Sequence, residues 1–322
     1  MLALVVPAAV LLGAMIVAIS IGAVTVPVGE VWRIIWHHLT GGGTVADPAM
    51  DQIVWSFRTP RVVLAALVGA GLAVAGVVLQ AVVANPLADP YVLGVSSGAS
   101  LGAVLVITLT SGALGGLGVS SAAFLGAAAA AALVFLLGQK QGRLAPTRLV
   151  LSGVAVGYLF LAATSYLQLR ATPTELRTVM FWMLGSVAGA QWGQLPVVST
   201  VVLTTTVVLA LFGLRLNALL VGDESAPALG VDVHRLRAIL LALSSLVTGT
   251  VIAVAGGIGF VGLMIPHLVR LTTGADHRRL LPQAALVGAI YLVVVDLLSR
   301  TVDRPNELPL GILTALFGAP FF

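Results

Sequence analysis

From Val62 to Val83 the chain carries a single polar side chain, Gln80, and no charge. A helix needs about 20 apolar residues to cross a hydrocarbon core of about 30 Å, and runs of this kind recur all the way to Phe322. Of 322 residues, 59% are hydrophobic and 9% charged, with a mean hydropathy of +1.10. A water-soluble body carries about a quarter charged residues, so this chain has too little polar surface to be one. In lipid every backbone group must be bonded internally, which leaves helices and closed barrels. A barrel would alternate polarity in segments of about ten residues, whereas these runs are continuous. The chain is expected to be an all-α integral membrane protein.

Polar and Pro/Gly clusters divide it into about ten transmembrane helices, near 2–26, 60–83, 91–110, 113–138, 147–169, 193–214, 237–256, 258–272, 280–302 and 308–322. Residues 1–322 read as one transmembrane domain. Met1–Val26 lacks the positive n-region of a signal peptide and is taken as the first span. The loop GQKQGRLAPTR (138–148) has three positive charges and no acid, which places it and both chain ends in the cytoplasm. Segments 28–55 and 173–191 are too polar to span and carry Trp32, Trp36 and Trp182. Both are expected to lie along the outer interface, where tryptophan is favoured. Ala65, Gly69 and Ala73 recur at four-residue spacing and suit close helix packing.

The longest polar interruption, 216–237, holds Asp223, Glu224, Asp232, His234, Arg235 and Arg237. These groups need water or partners, and the segment reads as a cytoplasmic handle suited to docking another protein. Asp223 or Ser225 is expected to cap a short helix there, with Gly230 closing it in the left-handed region.

Motifs for chemistry are missing. There is no GxxxxGK[ST] phosphate loop, no HExxH and no Gly-x-Ser-x-Gly elbow between strand and helix, so the chain is not expected to be an enzyme. Adjacent His37 and His38 point about 100° apart on a helix, a poor metal pair, and no structural metal is expected. Ionisable groups inside spans are sparse, which counts against an ion-coupled secondary transporter, the distant alternative. Asp296 is expected to pair with Arg300 one turn on, and His267 to be a packing histidine. NPLADP (85–90) reads equally as a plain tight turn and as an inner gate. The few Lys and Arg form no clustered basic face, which excludes nucleic acid as a partner.

Several motifs in order carry a resemblance: RTPRVVLAALVGAGLAVAGVVLQAVVANPLADPYVLGVSSGAS (58–100), LVLSGVAVG (149–157), FWMLGS (181–186), LGVDVHRLR (229–237), GGIGFVGLMIPHLVR (256–270), DHRRLLP (276–282) and ELPLGILTALFGAPFF (307–322). End to end the chain resembles the permease subunits of binding-protein-dependent ABC importers for iron-siderophores, haem and vitamin B12. The resemblance implies a type II ABC importer permease in the bacterial inner membrane, paired with a second copy or a homologous permease. It implies two cytoplasmic ATPase subunits that bind ATP and Mg, and a soluble or lipid-anchored substrate-binding protein outside. Gly222, Asp223, Glu224, Ala228, Leu229 and Gly230 would then meet the ATPases. Asn85, Leu87 and Thr147 would form the inner gate. Arg58, Arg61 and Arg300 would meet acidic groups of the binding protein, and 147–169 and 308–322 would line the path. No cofactor is implied in this chain. An iron-siderophore is favoured over haem or cobalamin because no axial haem ligand is visible along the path. Family members continue several residues beyond the position of Phe322, so the last span, about 22 Å at 1.5 Å per residue, is short.

Overall fold

The computed structural model describes residues 2–42, 47–110, 115–140, 143–223 and 225–321. In chain order the helices are α1 (Leu2–Ser20), α2 (Val28–Thr40), α3 (Pro48–Asp51), α4 (Thr59–Val82), α5 (Val95–Thr110), α6 (Gly115–Gly138), α7 (Pro146–Arg170), α8 (Pro173–Met183), α9 (Leu195–Leu211), α10 (Gly213–Leu220), α11 (Val233–Ala255), α12 (Val261–Thr273), α13 (His277–Ser299) and α14 (Leu310–Gly318). A two-residue hairpin, β1 (Gln139–Lys140) with β2 (Arg143–Leu144), joins α6 to α7. The protein is an all-α membrane protein. Helices stand at each expected span position. Among the described residues five are long and apolar enough to cross a membrane, or six if the α9–α10 pair, bent by 59°, counts as one span.

α4 is the centre of the bundle and is buried along almost its whole length. In lipid, close backbone approach replaces the hydrophobic drive between helices, and the small-residue face read from the sequence provides it. A Cβ on Gly69 would run into the backbone of Gly288 in α13, and one on Gly76 into the backbone of Gly262 in α12. Gly69→Val is therefore expected to destabilise the fold by more than the usual overpacking cost of about 1–3 kcal/mol, because backbone rather than a side-chain tip must yield. The yield of detergent-extracted monodisperse protein and its melting temperature would check this.

The two segments expected at the interface, 28–55 and 173–191, differ in build. α2 lies on the surface with Trp32, Trp36 and Leu39 exposed, while Val31 and Ile34 pack inward. Residues 48–55 do not belong to that interfacial piece. Asp47 caps α3 by accepting from Ala49 N, Pro48 takes the first helical position, and a π turn over Gln52–Arg58 carries the helix without a break into α4. The span over 60–83 thus begins at Pro48. α8 starts at a capping box between Thr172 and Glu175.

Candidate functional site

At the end of the bundle where α1 stops, Arg58, Arg61 and Arg300 are 8%, 9% and 8% exposed. They are not the freely solvated charges that an encounter-steering role expects, because each is held from within. Arg58 Nη1 donates to Ile19 O at 2.8 Å and Ser20 O at 3.0 Å, and its Nη2 donates to Val24 O. Arg300 Nη2 donates to Ala18 O at 2.6 Å and its Nη1 to Ile21 O at 3.2 Å. The two guanidinium groups thereby satisfy the orphan carbonyls at the C-terminus of α1, where positive charge also suits the helix dipole. Arg61 Nε meets Asp296 Oδ1 at 2.8 Å, and its other nitrogens meet Glu307 at 2.9 and 3.0 Å. Asp296 and Arg300 form the expected i,i+4 ion pair at 3.3 Å. The link from Asp296 to Arg61 is one that sequence reasoning missed. All three arginines still line a cavity of about 740 Å³ with Arg304 and Glu307.

At the other end of α4, NPLADP is a turn built on its own side chains. Asn85 Oδ1 accepts from Leu87 N at 2.9 Å and Asp89 Oδ1 from Tyr91 N at 2.8 Å. Leu87 is exposed. Asn85 and Leu87 share a small cavity with Val150 of α7, and the exposed Thr147 stands one helical turn before Val150. The turn is fastened to α12 through Gln80, whose carbonyl accepts from Asn85 N at 3.1 Å. The Gln80 side-chain amide donates to Gly262 O at 3.3 Å and accepts from Arg270 Nη2 at 2.8 Å.

Burial pushes the Asp89 carboxyl up to about 6, against the opposing pull of the Tyr91 N–H. A raised carboxyl favours the protonated folded form, so its stabilising contribution is full at low pH and is lost as pH rises through about 6. Asp89→Asn removes this contribution, so the variant's melting temperature is expected to fall relative to wild type as pH is lowered from 7.5 to 5.5, as a paired thermal scan would show.

The polar handle follows α10. Gly230 has φ 75° and closes the 3-10 turn Ala226–Leu229 as expected, while Ser225 holds the N-cap position without a side-chain bond. Gly222, Ala228 and Gly230 lie on this stretch, together with the backbone of Leu229, and Glu224 lies outside the described residues. Asp223 is not a cap. It makes a bidentate pair with Arg237, at 2.6 and 2.7 Å. Arg237 is 1% exposed, and its Nε also donates at 3.2 Å to the carbonyl of Val82, the last residue of α4 before the NPLADP turn. On the other flank, Asn217 of α10 donates to Asp276 at 2.7 Å and accepts from His277 N at 2.9 Å. The handle is thus tied to α11, α4 and α13.

Between the two ends lies a cavity of about 340 Å³, lined in part by Ser96, Ser97, Ser100, Thr164, Gly257 and Phe260. Its polar lining is mostly neutral hydroxyl. Two possible soft or phenolic ligands do face it, Met183 and Tyr91, an exception to the expected lack of haem ligands; Met183 Sδ accepts from Gln168 Nε2 at 3.2 Å. Among the described residues, the non-glycines with positive φ are Ala84 (52°) just before the NPLADP turn and Phe260 (66°) at this cavity. Left-handed backbone on such residues is strained and tends to gather at working sites. The exposed apolar side chains Leu151, Val154, Tyr158, Leu159 and Leu161 of α7, with Leu316 and Phe317 of α14, form unpartnered faces on the helices expected to line the path. His267 rests edge-on against Phe321, ring centres 5.7 Å apart.

The model of the FecCD transport family matches residues 10–322. The cobalamin import system permease protein BtuC of Halobacterium salinarum is 47% identical over 270 residues, 84% of this chain and 72% of that one. The hemin transport system permease protein HmuU of Yersinia pestis is 42% identical over 295 residues, 90% of this chain and 86% of that one. Other relatives are named for import of Fe(3+)-citrate, molybdate and iron(3+)-hydroxamate. A solved structure described as an inward-facing conformation of a metal-chelate type ABC transporter superposes with a TM-score of 0.87 at 35% identity, over 99% of this chain and 96% of that one.

Proposed function

The chain belongs to the FecCD transport family and is a multi-pass permease of an ABC importer for an iron-siderophore, haem, vitamin B12 or similar solute, and we propose that its solute is an iron-siderophore. The observation that carries the choice is the hydroxyl-lined, uncharged cavity at Ser96, Ser97, Ser100 and Thr164. Such a wall bonds the rim of a bulky chelate weakly, and of the two side chains there that could reach a metal, Met183 is already bonded by Gln168 Nε2 at 3.2 Å, which leaves the Tyr91 phenol. Weak contact suits a site that must release its cargo.

In this reading two copies, or this chain and a homologous permease, enclose the path between their α7 and α14 faces. An acidic side chain of a substrate-binding protein enters the outer arginine-lined cavity. Two cytoplasmic ATPase subunits, which hold ATP and Mg, dock on the handle. The chain itself is no enzyme and holds no cofactor. ATP-driven closure moves the handle, and Arg237 passes that movement to the end of α4 and the gate turn, so that the path opens to one side at a time.

The deciding assay is uptake into proteoliposomes holding the complete importer, with a ferric hydroxamate, haemin and cobalamin offered separately. Accumulation of the ferric hydroxamate alone supports the reading; preference for haemin or cobalamin overturns it. The handle has its own test. Gly230→Val forces a β-branched residue into the left-handed region, where a Cβ costs roughly 1–2 kcal/mol, and is expected to lower solute moved per ATP hydrolysed with expression unchanged. Normal stoichiometry would remove the handle from the coupling path.

A further inference from the structure

α6 and α11 run antiparallel and touch at Gly249: a Cβ there would lie 3.2 Å from Ala127 Cβ and 3.6 Å from Phe124 Cδ2. Toward the C-terminus of α6 and the N-terminus of α11 a groove of about 560 Å³ opens between them. It is lined by Ala128, Ala131 and Ala242 and by the bulkier Phe135, Ile239 and Leu246. Ile239 and Leu246 are 43% and 38% exposed, so the groove faces out of the bundle rather than into it. The rise from Phe124 to Phe135 is about 16 Å at 1.5 Å per residue, which matches one leaflet of a hydrocarbon core about 30 Å thick. A second helix, about 10 Å across, would meet the bulky side chains before reaching the alanines, whereas a single alkyl chain fits between them.

The mouth of the groove is basic. Arg235 precedes Ile239 by four residues and Ala242 by seven, so it stands on the same stripe of α11. Its side chain is 87% exposed, with only a loose contact to Asp232 at 3.5 Å. Arg148 Nη1 donates to Gln139 O at 3.0 Å, which brings its guanidinium to the C-terminal end of α6. Arg143 in β2 is exposed beside it. The loop 138–148 supplies no carboxylate to neutralise Arg143 and Arg148, and the Asp232 carboxylate beside Arg235 is itself exposed. An apolar slot one leaflet deep with guanidinium groups at its cytoplasmic mouth matches an acidic phospholipid in both halves of its chemistry.

We propose that the α6–α11 groove holds an acyl chain of an acidic phospholipid of the cytoplasmic leaflet, with its phosphate on Arg148 and Arg235. The bound lipid fills the gap beyond the contact at Gly249, and so steadies α11 beside the handle.

The test is native mass spectrometry on the intact importer, delipidated and then offered phosphatidylglycerol or phosphatidylcholine. Wild type is expected to retain phosphatidylglycerol over phosphatidylcholine on the order of tenfold, the effect of two surface arginines on one anionic headgroup. Arg148→Gln combined with Arg235→Gln should remove that preference. Ala242→Phe, which fills the slot, should lower retention of both lipids, while Leu203→Phe on the exposed face of α9 should not. Equal retention of the two lipids by wild type, or unchanged retention in Ala242→Phe, overturns the proposal. So does a photo-reactive residue at position 242 that couples to another protein chain instead of lipid.

Discussion

Arg237→Ala is expected to leave ATP hydrolysis by the partner subunits running while solute uptake falls about tenfold or more. Each hydrogen bond to a charged group is worth about 1.5–3 kcal/mol, and a factor of ten is 1.4 kcal/mol. This side chain makes two such bonds to Asp223 and one to Val82 O. Its loss frees the handle from the end of α4, so a push from below no longer reaches the gate turn. Because Arg237 is buried while the Asp223 side chain is 47% exposed, the arginine should matter more: Asp223→Asn keeps a neutral bond and loses less. Arg237→Lys keeps the charge but not the planar fork and should fall between. Parallel measurement of uptake and ATP turnover checks the order. Equal loss of both activities would make Arg237 a folding residue only.

Asp296→Leu should produce the largest loss of stability. Asp296 is fully buried, and its removal leaves Arg61 and Arg300 facing one another with half their neutralising charge gone. Breaking a buried ion pair by deleting one member costs about 3–5 kcal/mol, whereas replacing the pair by apolar groups is often neutral. Asp296→Leu with Arg61→Met should therefore recover much of the lost melting temperature, a non-additivity expected of directly bonded residues. Glu307 remains for Arg61 in the single variant, which sets the loss nearer the lower end of that range. A double variant no better than the single one would show that the cluster does not act as a unit.

The sequence disclosed what depends on neighbours along the chain. Helix positions followed from apolar runs, because a bilayer asks for about 20 residues of that kind. The left-handed Gly230 and the side-chain bonds of Asn85 and Asp89 are local, and turn chemistry predicts them. Asp296 with Arg300 is one helical turn and was legible for the same reason. Asp296 with Arg61, 235 positions apart, was not, since nothing in a single chain says which two helices face each other. The same holds for Arg237 with Val82, 155 positions apart. Asp223 was misread as a cap because local propensity favours it there; a buried arginine fourteen residues on was the stronger partner. The extension of α4 back to Pro48 escaped because a π turn shifts the register of the apolar pattern.

That extension makes Pro48–Val82 a continuous helical stretch of 35 residues, about 50 Å at 1.5 Å per residue. Arg58 and Arg61 lie within it, ten and thirteen residues from Pro48, its far end leads into the NPLADP turn, and glycine crossings at Gly69 and Gly76 clasp its second half against α13 and α12. Such a rod serves as an internal ruler. Two spectroscopic labels placed near its ends would keep a constant separation through the transport cycle, a fixed frame against which every other distance in the protein can be read.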